Sequence, residues 1–160
     1  MIGAQPQQTP CSFVIFGATG NLSQIKLLPA LYHLEGAQRL PPDMSLFAFG
    51  RRPYTNEEWC SFVEDALKRK LGNKFDAVLF EKFAHRFAYV QGELHNHADY
   101  AKLKNALATQ KMGSCTNVIY YLAIKPTEFG AVINNLDESG LNKSRGLHRI
   151  VVEKPFVKAA

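Results

Sequence analysis

Short unbroken apolar runs alternate along this chain with longer stretches in which apolar residues recur every three or four positions. Ser12–Phe16 (SFVIF) is a continuous run that stops at Gly17, as expected of a strand buried on both faces. From Leu22 to Leu34, apolar residues at 22, 25, 27, 28, 31 and 34 keep close to helical spacing. Pro29 lies inside that stretch and predicts a kink or a delayed regular start, because proline brings no N–H to the helical ladder. Ser45–Phe49 predicts a second strand, and Thr55 with Glu58 three residues on forms a capping box that opens a helix to about Leu71. The pattern continues with a helix over Lys74–His85, a strand at Phe87–Val90, a helix over Asp99–Thr109 and a strand at Asn117–Ile124. A helix over Thr127–Ser139, stopped by Gly140, and a strand at Arg149–Glu153 complete it. The order β-α-β-α-α-β-α-β-α-β predicts an α/β fold, a doubly wound parallel sheet with helices on both faces. Residues 1–10 read as a flexible leader and residues 11–160 as a single domain without internal repeats.

Composition narrows the class. With 160 residues, 46% hydrophobic and 21% charged, the chain suits one globular domain and not a disordered, collagen-like or coiled-coil protein. No apolar run reaches the roughly 20 residues that cross a bilayer, and the first residues carry no basic-then-apolar secretory pattern, so no membrane role is expected. Three widely spaced cysteines (Cys11, Cys60, Cys115) make neither a metal pair nor a disulfide framework, which favours a reducing, cytoplasmic setting. His95 and His97 read as solvated loop residues, since a metal needs three or four convergent ligands. The net charge of +5, from 19 Lys and Arg against 14 Asp and Glu, favours anionic partners. Without a dense basic run, small phosphorylated ligands fit better than nucleic acid. Lys68, Arg69 and Lys70 fall where a helix ends and complement its dipole.

The chemistry gathers at the ends of the predicted strands. Gly17-Ala18-Thr19-Gly20-Asn21-Leu22 joins the first strand to the first helix. One glycine permits the sharp turn, and the second lets backbone N–H groups approach a pyrophosphate at the helix N-terminus, where the dipole favours anions. A GxxG turn alone is a weak signal; its place after a buried strand and before an amphipathic helix strengthens the nucleotide reading. Arg51 and Arg52 follow the second strand, where an acidic side chain suits NAD and an arginine suits the 2′-phosphate of NADP. A guanidinium is always charged and its planar fork grips a phosphate bidentately, so NADP is the expected cofactor. Tyr121 and Lys125 have the YxxxK spacing of short-chain reductases. That chemistry needs both on one helical face, and VIYYLAI reads as a strand, on which they would lie about 13 Å apart. Lys154, after Glu153 at the end of the last strand, is expected at the carboxyl edge where ligands bind.

These segments together resemble the glucose-6-phosphate dehydrogenase family. FGATGNLSQIKLLPALYHL is similar to its usual opening, FGA[ST]GDLAxxKLxPAL, and GRR, YYLAIKPTEF and RIVVEKPF follow in the family's order over residues 12 to 156. The resemblance implies a Rossmann-like domain that binds NADP, with Gly17, Ala18, Thr19, Gly20, Asn21 and Leu22 as the pyrophosphate turn and Arg51 on the 2′-phosphate. Glu93 and Leu94 match loosely a cofactor-lining pair. Lys154 matches a lysine that contacts both cofactor and glucose 6-phosphate. It implies the first oxidative step of the pentose phosphate pathway, glucose 6-phosphate to 6-phosphogluconolactone. Asn21 replaces the usual aspartate, Lys125 stands where an uncharged residue, often proline, is usual, and Val157 replaces a glycine. The family's HYLGK segment and catalytic histidine have no counterpart here, and none of His33, His85, His95, His97 or His148 lies in a matching motif. By the same resemblance, the α+β domain and the homo-oligomer surface it carries lie outside this sequence, and the 160 residues alone are expected to be inactive. A stand-alone NADP-binding module or sensor, and a short-chain reductase or epimerase, are the alternative readings.

Overall fold

The computed structural model describes residues 12–109, 116–143 and 146–153. Five strands, β1 (Ser12–Phe16), β2 (Ser45–Gly50), β3 (Phe87–Gln91), β4 (Val118–Leu122) and β5 (His148–Val152), form one sheet in the order β3-β2-β1-β4-β5. Every pairing is parallel. The sheet order runs outward in both directions from β1, as a doubly wound fold requires.

β1 is buried along its whole length because helices cover both of its faces. Phe13 and Ile15 join one apolar cluster with Leu27, Leu28, Leu31, Trp59 and Phe83. Val14 and Phe16 point the other way, into a second cluster with Tyr100, Leu103, Val132 and Leu136. The alternation follows from the two-residue period of a strand. The first face is therefore covered by α1 (Leu28–Gly36), α2 (Asn56–Leu71) and α3 (Ala77–Ala84), and the second by α4 (His97–Ala108) and α5 (Phe129–Glu138).

Local chemistry explains the helix boundaries. The Thr55 hydroxyl accepts from the Glu58 N–H and the Glu58 carboxylate accepts from the Thr55 N–H, completing the capping box at the head of α2. Pro29 delays rather than kinks. The helix starts at Asn21, is wide, of π type, over Ser23–Leu27, and becomes regular at Leu28, so that the wide segment just before Pro29 takes up the N–H that proline lacks. The helix expected over Lys74–His85 is broken: Gly72–Lys74 form a 3₁₀ turn, and Asp76 then caps α3 by accepting from the N–H groups of Val78 and Leu79. The strands expected at 117–124 and 149–153 are Val118–Leu122 and His148–Val152.

At the amino edge, Glu35 (2% exposed) and Arg86 (9% exposed) form a buried pair, with Arg86 Nε 2.5 Å and Nη2 3.3 Å from the carboxylate. The remaining donor capacity of Arg86 goes to the carbonyls of Pro41 and Met44, both at 2.8 Å. Full satisfaction is what makes a buried guanidinium tolerable, and its place identifies it as a structural clamp on the end of α1. The registers fix what lies at the opposite edge. Val90, Phe49, Phe16, Leu122 and Val152 stand side by side across the sheet. The five strands therefore end at one level, and the described segments that follow β1, β2, β3 and β4 share one rim.

Candidate dinucleotide site

A cleft of about 640 Å³ opens along that rim. Its floor is the turn after β1, and its walls are the segments that follow β2, β3 and β4. The size falls in the range of small-molecule and cofactor sites.

Gly17 shapes the floor. It has φ +77°, and a Cβ built on it would stand 2.5 Å from the Ala123 carbonyl oxygen and 2.6 Å from Ile124 Cγ2. Only glycine fits both the backbone and the space. The N–H groups of Gly17 and Ala18 both donate to the Phe49 carbonyl, at 3.2 and 3.3 Å, which ties the turn to β2. The Gly20 N–H returns to the Gly17 carbonyl at 3.0 Å, and Gln24 makes the first helical bond, to Gly20, at 3.1 Å. The amides of Asn21, Leu22 and Ser23 precede that bond and have no place in the ladder, which is the arrangement that receives an anion. Gly17→Ala is expected to destabilise the chain by about 2 kcal/mol through left-handed strain and overpacking. A urea melt measures it; a midpoint within error of the parent would show that the turn relaxes freely.

The two arginines part company. Arg51 lines the cleft and is exposed. Arg52 turns away, with its Nη1 donating to the Tyr54 hydroxyl at 2.9 Å and its guanidinium 5.5 Å from the centre of the Phe62 ring. The Tyr89 hydroxyl holds the Arg52 carbonyl at 2.7 Å, and Gln91 holds that of Arg51 at 3.2 Å, so the backbone after β2 is fixed.

Beyond β3, Glu93 and Leu94 line the cleft with Gly92 and His95. The loop is organised by Asp99, whose carboxylate accepts from the Glu93 N–H at 2.8 Å and pairs with Lys102 at 3.1 Å. Burial pushes the Asp99 carboxyl up, but the Glu93 amide and the Lys102 ammonium outweigh it and leave the group below its ordinary value. Both histidines are exposed, as expected, but His97 is not in a loop. His97 begins α4, with Nδ1 3.2 Å from Asn135 Oδ1. His95 is in the loop, but its Nε2 lies 2.5 Å from Glu128 Oε2, joining the walls after β3 and β4.

Tyr121 belongs to another arrangement. It lies on β4 and donates to Glu153 Oε2 at 2.7 Å, and the other oxygen of Glu153 pairs with Lys26. Burial, and then the Glu153 carboxylate, push the Tyr121 hydroxyl up to about 12. A reductase tyrosine needs the opposite shift, and Lys125 lies beyond the strand rather than on a helical face. The YxxxK reading fails on geometry.

Of the residues read from the sequence, Gly17, Thr19, Gly20, Asn21, Leu22, Arg51, Glu93 and Leu94 come together at one cleft. Ala18 is in the turn but fully buried, with its amide committed to β2. Lys154 and Val157 lie outside the described residues, as do the expected leader and Cys11 and Cys115. The sequence reading missed Gly50, Gly92, Ile124, His95 and Glu128, although Gly92 beside Glu93 was a signal of close packing after a strand.

A β1 turn leading to an anion-receiving helix end, on the strand-end rim of a doubly wound sheet, defines a dinucleotide-binding domain of the Rossmann-like class. Residues 14–160 match the family model described as "Glucose-6-phosphate dehydrogenase, NAD binding domain", and the chain belongs to that family. It is 34% identical to glucose-6-phosphate 1-dehydrogenase 2 of Mycobacterium tuberculosis (strain ATCC 25618 / H37Rv) over 151 residues, 92% of this chain and 29% of that protein. With the glucose-6-phosphate 1-dehydrogenase of Chlamydia pneumoniae the identity is 36% over 154 residues, 92% of this chain and 30% of the relative. A solved glucose-6-phosphate dehydrogenase, in complex with its substrate glucose-6-phosphate, superposes with a TM-score of 0.81 at 30% identity, covering 96% of this chain and 32% of that one. The chain thus spans less than a third of the length of these relatives. A nicotinamide dinucleotide is the ligand of this domain family. Among the described residues no helix is long and apolar enough to cross a membrane.

Proposed function

We propose that this chain is the NADP-holding part of a glucose-6-phosphate dehydrogenase. The observation that carries the reading is the separation of Arg51 from Arg52: Arg51 borders the cleft that contains the glycine turn, while the guanidinium of its neighbour is engaged elsewhere. No acidic side chain occupies the place after β2, and a fixed cation there favours a ribose that bears a 2′-phosphate. The residues fit the cofactor in other respects. Glycine at position 17 lets the segment after β4 approach the turn, and the amides of Asn21 and Leu22, which precede the first helical bond, support a pyrophosphate there. When bound, the nicotinamide supplies the hydride acceptor; the protein's part is to bind, orient and exclude water.

Glucose 6-phosphate is the substrate this reading assigns, since the relatives carry that name and one was solved with it. Lys154 is kept as the proposed substrate lysine. Its neighbour Glu153 stands at the rim, held by Tyr121 and Lys26, so the end of β5 is anchored at the level of the cleft. The relatives favour neither the stand-alone module nor the reductase. The setting is proposed as the reducing cytoplasm, with any oligomer formed outside these residues.

Ligand-induced stabilisation tests the reading. A ligand at about 100 times its Kd adds about 2.7 kcal/mol. NADP is expected to raise the melting temperature of the 160-residue chain at concentrations where NAD gives a smaller rise. An unchanged melting temperature with both, up to millimolar concentrations, would remove the dinucleotide assignment.

A further inference from the structure

Lys125 is the residue of the cleft that the reading above leaves without a task. It follows β4, lines the cleft with Thr19, Gly20 and Asn21, and is exposed. β4 and β2 flank β1 on opposite sides, so Lys125 and Arg51 bracket the glycine turn. The approach is close, because Gly17 packs against Ala123 and Ile124, the two residues before Lys125. The backbone at Lys125 is fixed in an extended conformation (φ −66°, ψ 144°), with its carbonyl accepting from the Glu128 N–H at 2.8 Å. Glu128, the carboxylate of the same turn, is held by His95 on the opposite wall. Among the described residues no carboxylate lies within ion-pairing distance of the Lys125 ammonium.

We propose that Lys125 is a second phosphate-directed cation of this cleft, which binds the pyrophosphate of the dinucleotide from the β4 side. The inference rests on the dinucleotide reading and deepens it. The two cations divide the work. Arg51, beside the ribose position after β2, distinguishes NADP from NAD, whereas Lys125 acts on a group that both dinucleotides carry. The His95–Glu128 pair supports this by engaging the carboxylate of the turn that Lys125 begins. The observed φ and ψ are those a proline before Pro126 would take, so the lysine is not demanded by the backbone.

Calorimetric titration of NADP and of NAD against the parent, Lys125→Gln and Lys125→Arg tests this. Glutamine keeps the polar stem and removes the charge. It is expected to weaken both cofactors by a similar factor, about 3- to 10-fold, and arginine is expected to restore most of the loss. Raising the salt concentration should narrow the difference, since the contact is an exposed charge. Equal affinities for parent and Lys125→Gln would overturn the inference and leave the cleft reading intact. A loss confined to NADP would also overturn it, by moving the lysine to the 2′-phosphate. A parent chain that binds neither cofactor overturns the cleft reading, and this inference with it.

Discussion

The 160-residue chain is expected to form no measurable NADPH from glucose 6-phosphate and NADP⁺. Oxidising the C1 hydroxyl requires a base to take its proton while the hydride leaves, and general base catalysis supplies about 10²- to 10⁴-fold. Holding sugar and nicotinamide in register supplies a further large factor. The cleft offers donors and cations for phosphates but little that would position a sugar. Among the described residues that line it, the histidine is His95, whose Nε2 is already directed to the Glu128 carboxylate. Turnover should therefore fall at least about 1,000-fold below that of the Mycobacterium tuberculosis relative, assayed alongside by NADPH absorbance. Activity within tenfold of that control would show that a complete base and sugar site exist in these residues. His95→Ala would then be the first variant to make.

The fold was legible because its core obeys simple periods. β1 is buried at every position and apolar from Phe13 to Phe16 since both faces are covered, and the capping box at Thr55 states its helix start in two side chains. Pro29 signalled irregularity but not its form. A wide turn before a regular helix and a kink within one satisfy the same missing N–H, and the choice between them depends on how Leu27, Leu28 and Leu31 pack on the sheet. The break at Phe75–Asp76 was hidden for a similar reason. The apolar spacing from 74 to 85 suits one helix, while the Asp76 cap is a local hydrogen-bond preference that spacing cannot show.

The site was legible where a residue type has few uses. Glycine after a buried strand and arginine after the next are weak signals singly and narrow the chemistry together. The wall after β4 was not. Ile124 matters through contact with Gly17, 107 positions away in sequence, and His95 through a carboxylate 33 positions on. Such pairings come from the strand order, which alternation alone does not reveal. The two adjacent arginines were likewise equivalent in sequence, and only the Tyr54 and Phe62 side chains separate them.

Arg51→Ala is expected to weaken NADP binding about 10- to 150-fold, the equivalent of one charge-assisted contact of roughly 1.5–3 kcal/mol. Arg52 should not substitute, because its guanidinium is already engaged by Tyr54 and Phe62, and moving it would expose the Phe62 ring. NAD lacks the 2′-phosphate, so its affinity should hardly change. Arg52→Ala provides the contrast, with little effect on either cofactor beyond a small loss of stability. Calorimetric titration of the parent and Arg51→Ala with both cofactors is thus the most direct test of the central claim. The account predicts that the parent prefers NADP and that Arg51→Ala loses most of the preference while keeping its NAD affinity. Equal losses for NADP and NAD, or a preference that survives the substitution, would contradict it.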